Sequence, residues 1–131
     1  MNMKLRDYFS GNSGVGVIST SNEEGEVNSA IYAKPHILED GGVAFIMRDR
    51  LTHANLQTNG NANYLFIEHE HGFKGVRLSL TKTGETNDKE LINSLSRRTS
   101  ADDTDSEERF VVSFTVNKAL SLVGGDEIEL Q

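Results

Sequence analysis

Two arginines one residue apart close an apolar run. Phe45-Ile46-Met47 is followed by Arg48, Asp49, Arg50, Leu51 and Thr52 in the stretch "FIMRDRLTHANLQTN". Alternation along an extended chain turns Arg48 and Arg50 to the same face. From Leu51 the spacing becomes helical, with Leu51, Ala54 and Leu56 apolar and Thr52 able to cap. The arginine pair therefore stands where a strand gives way to a helix N-terminus, whose unpaired N–H groups and partial positive charge favour anions. Two guanidiniums, a hydroxyl and those N–H groups together form a cradle for a dianion such as a phosphate monoester. The alternative is a pair of surface arginines neutralised by acids such as Asp49 or Glu39.

Other polar clusters are weaker. In "EHEH" (residues 68–71) His69 and His71 share one strand face, and a third ligand such as His36 or His53 would complete a metal site. Spacing supplies no such third ligand, so a polar strand end in water is the expectation, with no metal. The acidic run "ADDTDSEE" (residues 101–108) lacks the central glycine and terminal glutamate of a calcium loop and reads as a solvated loop. The glycines of "SGNSGVG" follow no strand and no Gly-Lys-Ser/Thr motif is present, so both nucleotide-loop signatures are missing. No serine sits in a nucleophile elbow. Cysteine is absent, which removes disulfides, thiol catalysis and Cys-ligated zinc or iron–sulfur centres.

Composition narrows the partners. The chain of 131 residues has the length of one domain, residues 1–131, and its 36% apolar content suffices for one core. With 20 acidic against 13 basic side chains its net charge is −7, which disfavours nucleic acid and anionic membrane as partners. The start "MNMKLRDYFSGN" lacks an apolar signal core and no apolar run reaches membrane-spanning length, so a soluble, cytoplasmic protein is expected.

The elements that must position the arginines follow from pattern. A short amphipathic helix opens the chain, with Leu5, Tyr8 and Phe9 on one side and a stop at Gly11. "GVGVISTS" (residues 14–21) and "NSAIYAK" (residues 28–34) are strands joined by the polar turn "NEEGEV", a hairpin ended by Pro35. "VAFIMR" (residues 43–48) is the third strand, "NANYLFIEHE" (residues 61–70) the fourth and "KGVRLSLTKTGE" (residues 74–85) the fifth. A helix is predicted over residues 87–98, capped by Asn87 with Glu90 three residues on, its apolar face Leu91, Ile92 and Leu95, its end Arg97 and Arg98. "RFVVSFTVNKALSLV" (residues 109–123) supplies the sixth strand. Hairpin-length connections with inserted helices predict a mainly β (α+β) fold, a six-stranded antiparallel split β-barrel with short peripheral helices.

Residues 14–84 resemble the FMN-binding split barrels of the pyridoxamine 5'-phosphate oxidase superfamily. The likeness rests on "GVGVISTSNEEGEVNSAIY", "GGVAFIMRDRLTHANLQTN", "ANYLFI" and "GVRLSL", in that order and at similar spacings. In that family the end of the third strand and the following helix hold the FMN phosphate, through a Ser/His-Arg/Lys-Lys/Thr cluster shortly before Asn-Leu. Here the pair is Asn55-Leu56 and the cluster is Arg50-Leu51-Thr52. The resemblance implies a cofactor site of Asn28, Ser29, Met47, Arg48, Asp49, Arg50, Leu51 and Thr52. Arg50 and Thr52 would bind phosphate, Arg48 would support them, and Asn28 and Ser29 would face the flavin. Tyr32, Tyr64 and Phe73 are either ring covers or core aromatics. Leu51 departs from the family's frequent lysine, so Arg48 must compensate. The Arg-rich tail that follows a tryptophan in true pyridoxamine phosphate oxidases is missing, and the chain ends "VGGDEIELQ".

The resemblance thus implies an FMN-binding flavoprotein, a flavin-dependent oxidoreductase that does not oxidise pyridoxamine phosphate. It would be a homodimer with FMN at the subunit interface and a small-molecule redox partner of unknown kind. Alternatives in other classes stay open: a non-enzymatic FMN carrier, a haem-binding split barrel with His36 or His53 as ligand, or a barrel that serves only as an interaction module.

Overall fold

The protein was analysed as a computed structural model that describes residues 2–70, 72–96 and 107–131; His71, Arg97, Arg98 and the acidic run up to residue 106 lie outside them. Six long strands carry the architecture: β2 (Gly14–Ser21), β3 (Val27–Tyr32), β5 (Val43–Arg48), β6 (Asn61–Glu68), β7 (Gly75–Thr86) and β8 (Arg109–Ser121). They pair antiparallel in the spatial order β3-β2-β6-β7-β8-β5, and the sheet curls between β3 at one end and β5 at the other, where His36 and Ile37 add a short antiparallel pairing to β5. Alternation fills the inside with Ile18, Phe45, Met47, Tyr64, Phe66, Leu78, Leu80, Val112 and Phe114, all nearly inaccessible.

Three shorter strands escaped the sequence reading: β1 (Asn2–Met3), β4 (His36–Ile37) and β9 (Glu127–Leu130). Segments of two to four residues carry no periodic signal and become strands only through their partners. The long β8 makes two of them necessary: its first half pairs with β5, and its Ala119 and Leu120 pair with β9, which takes β1 in parallel.

The helices plug and brace the barrel. In α1 (Leu5–Gly11) Leu5 and Phe9 are buried, and Phe9 meets Phe66 edge-on at 5.2 Å. α2 (Leu51–Thr58) follows β5 and lies against β2, β3 and β5. α3 (Lys89–Ser96) covers the outer face of β5 and β8, where Ile92 and half-buried Leu95 pack on Ala44, Ile46 and Val111. Its cap is Asp88, whose Oδ1 accepts from the Glu90 N–H at 3.0 Å, rather than Asn87, which instead donates to Glu108. Leu91, expected on the apolar face, is exposed, so α3 buries a narrower stripe than its sequence suggests.

Gly16 has a specific reason. A Cβ there would collide with the Tyr64 hydroxyl, which reaches past it to donate to the carbonyls of Tyr32 and Ala33 at 3.3 and 3.1 Å. Tyr64 is thus a core aromatic that fastens the end of β3. No described helix is long and apolar enough to cross a membrane.

Candidate functional site

Strand pairing decides which groups meet at the arginines. β5 and β8 run antiparallel with Met47 opposite Phe110 and Arg48 opposite Arg109. Just beyond that last pair both segments leave the ladder, with Arg50 and Glu107 close to each other. The side chains meet accordingly. Arg50 donates from Nε to Glu107 Oε1 and from Nη2 to Oε2, each at 3.0 Å, a side-on fork. Arg48 adds Nη1 to Oε2 at 3.3 Å. The arginines do pair with an acid, but it is Glu107 rather than Asp49 or Glu39, an acid 57 and 59 residues away. Arg50 is 71% exposed, Glu107 32% and Arg48 27%, so solvent screens the contact and its contribution to stability is small.

The helix start completes the cradle. Arg50 is the N-cap of α2 in extended conformation, and its side chain makes no capping hydrogen bond. Thr52 does not act as the cap the sequence suggested. It is buried in the first turn, next to the phenol of Tyr32. Burial pushes the Tyr32 hydroxyl above its ordinary range, while Thr52 and the charge of Arg50 pull it back, so Tyr32 belongs to this site. The sequence reading left Tyr32 as either a ring cover or a core aromatic, because the proximity that decides it joins the end of β3 to α2.

Beside the cradle lies a pocket of about 320 Å³, lined by Tyr32, Lys34, His36, Met47, Arg48 and Arg109 among others. It opens between the margins of the curled sheet, and its charged lining is basic although the chain is acidic overall. That volume is at the low end of small-molecule sites, roughly 300–1,000 Å³. Lys34 is held in place by the carbonyls of Phe9 and Asn12, at 2.7 and 2.9 Å. A larger open cleft of about 1010 Å³ lies at the opposite end of the strands, between Tyr8, Phe73 and Val123, with acids and lysines intermixed. It has no convergent set of like charges.

Under the cradle sits a carboxylate–imidazole–carboxylate array. His53 Nδ1 faces Asp49 Oδ1 at 3.0 Å and Nε2 faces Glu85 Oε2 at 3.0 Å. Glu85 also accepts from Lys82 at 2.7 Å and Gln57 at 3.0 Å. Burial raises the Glu85 carboxyl, but the hydrogen bonds from Gln57, Lys82 and His53 outweigh it and hold the pKa at about 2.

The remaining expected site residues are spread. Met47 is core, Asp49 is turned to His53, and Leu51 is exposed. Asn28 and Ser29, adjacent on β3, point to opposite faces: Asn28 pairs across to buried Thr20, whereas the Ser29 and Ser19 hydroxyls meet at 2.8 Å on the outer face. One planar ligand on one side of β3 meets only one of the two side chains. Among the aromatics, Phe73 is exposed at the far end, away from the arginines. His69 follows the end of β6, and no group of three metal-ligating side chains occurs among the described residues.

No family model and no curated protein matches the sequence. Solved structures do. An FMN-binding protein from Syntrophomonas wolfei superposes with a TM-score of 0.69 at 18% identity, over 94% of this chain and 86% of that one. HupZ from Group A Streptococcus gives 0.70 at 15%, over 94% of both chains. A pyridoxamine 5'-phosphate oxidase-like protein from Lactobacillus delbrueckii gives 0.63 at 13%, over 87% and 88%. The fold is therefore that of the pyridoxamine 5'-phosphate oxidase-like split barrels.

Proposed function

We propose that this split barrel binds FMN and works as a flavin-dependent oxidoreductase. Arg48, Arg50 and Thr52 take the phosphate, and the pocket beside Tyr32 and Met47 takes the ring. The observation that carries the reading is the convergence of two guanidiniums on a single carboxylate, at the start of α2, in a chain of net charge −7. The Glu107 carboxylate demonstrates the donor set: two acceptor oxygens held by three N–H contacts. A phosphate monoester offers the same oxygen pair with more charge. That the Syntrophomonas wolfei neighbour is an FMN-binding protein supports the choice of anion.

A bound flavin supplies electron and hydride transfer itself. The residues of this chain then anchor its phosphate, hold Tyr32 and Thr52 against it, and wall the ring from water with the apolar end of β5. Exposed Leu51 adds no charge, so Arg48 carries what a lysine there would. His53 is poorly suited to haem, because both ring nitrogens already face carboxylates.

The functional unit is a homodimer. The outer face of β2, β3 and β6 aligns Val15 with Ile67 and Val17 with Leu65 and Ile31. Val27 and Ile31 are 73% and 77% exposed. The apolar patch of Val15, Val17, Ile31, Leu65 and Ile67 near the edge strand fits a second copy, which would enlarge a pocket small for a whole flavin.

Titration of FMN and of riboflavin into the chain and into Arg50→Ala, followed by flavin fluorescence, tests the reading. FMN should bind, and the substitution should weaken it by about 10- to 100-fold, the worth of hydrogen bonds to a charged group, with riboflavin unchanged. Equal losses for both would refute the phosphate assignment, and no binding of either would refute the cofactor. Reduction of the bound flavin by NADH or NADPH no faster than free FMN would leave a carrier.

A further inference from the structure

We infer that Glu107 is a built-in competitor for the arginine pair: an anion enters the cradle by displacing this carboxylate, and that displacement selects dianions over monoanions. The inference rests on the arginine pair being an anion site, and deepens that reading by giving the site a selectivity.

Three features combine. The β5–β8 ladder ends at Arg48 opposite Arg109, and just beyond it the chain before β8 brings the Glu107 carboxylate to the pair. Its two oxygens take the side-on fork of Arg50 and one N–H of Arg48, the same donors an incoming phosphate needs. Neighbouring Asp49 and Glu85 are turned to His53 instead, whereas Glu107 is aimed at these guanidiniums. Phosphate and Glu107 therefore exclude one another.

The exclusion is soft. Arg50 is 71% exposed and Glu107 32%, so a displaced carboxylate enters water without leaving a buried charge unpaired. Selectivity follows from charge and connectivity. Glu107 is attached to the same chain and competes at a high effective concentration. A free monocarboxylate exchanges like for like and must also meet the entropy of association, so it gains nothing. A dianion brings a second charge to two guanidiniums and more acceptor oxygens, and so displaces Glu107.

Glu107→Gln keeps shape and removes charge; Glu107→Ala removes the side chain as a second variant. FMN, riboflavin, inorganic phosphate and acetate are titrated calorimetrically into all three full-length chains, with circular dichroism to verify folding. If the pair is engaged about nine-tenths of the time, freeing it tightens anion binding about tenfold. The expected result is tighter FMN and phosphate in both variants, unchanged riboflavin, and acetate binding that appears only in the variants. Unchanged or weaker FMN and phosphate would make Glu107 a brace and overturn the inference, while FMN binding itself would stand. Phosphate bound by none of the three chains would also overturn it. Phosphate tightened in the variants with FMN bound by none would sustain the competitor and sink the flavin reading.

Discussion

The imidazole of His53 lies flat on the ring of Phe110, with centroids 4.0 Å apart and planes 12° from parallel. This contact ties the first turn of α2 to β8 directly beneath the arginines, while Asp49 and Glu85 grip the imidazole edge-on from both sides. Phe110→Leu preserves apolar bulk and removes the stacked face. It should lower stability by about 0.5–1.5 kcal/mol in urea unfolding, the usual worth of such a ring contact. In a His53→Ala background the same substitution should cost almost nothing more; full additivity would mean the rings do not interact.

Glu85 makes stability depend on pH. Its carboxyl sits at about 2 in the folded chain against an ordinary 4.5. Between those values the unfolded chain binds the proton more readily, so the stabilisation is complete above the ordinary value and drains away as pH falls towards the folded one. Thermal melts should show Tm falling as pH drops from 6 to 3. Glu85→Gln should melt lower at pH 6 and lose less over the same interval, whereas parallel curves would remove Glu85 as the source.

The apolar outer face makes a prediction about assembly. Ile31→Lys puts a charge beside Val17, next to Leu65 on the same face, without touching the core, since Ile31 is 77% exposed. Light scattering should find a dimer for the parent chain and a monomer for the variant, both with the same β-rich circular dichroism. A dimer that survives the substitution would place the interface elsewhere, and a monomeric parent would remove the dimer.

Much of this was legible before any coordinates. Strands such as "VAFIMR" announce themselves through β-branched and aromatic runs bounded by glycine or turn residues, and the step from Arg48 to α2 is a local event. What stayed hidden is non-local. Glu107 reads as one more acid in "ADDTDSEE" until the chain entering β8 brings it to Arg50. Tyr32 reads equally as a ring cover or a core aromatic until α2 comes beside it. His53 was weighed as a ligand because its two carboxylate neighbours come from different elements, one four residues before it and one on β7. The cap of α3 slipped by one residue because Asn87 and Asp88 are both good caps, and only the Glu90 contact distinguishes them.

The pairing of β5 with β8 also sets a timetable. Arg48 and Arg50 leave the ribosome long before Arg109 and Phe110, and the strand that faces them comes from the last part of the described fold. Contacts so distant in sequence close late, after the local hairpin of β2 and β3 and its neighbours have formed. Until then the arginine end of β5 is an open sheet margin, with neither Glu107 beside Arg50 nor Phe110 under His53. A growing chain thus lacks the finished arginine cradle, and any ligand that needs it meets it only after β8 has been added.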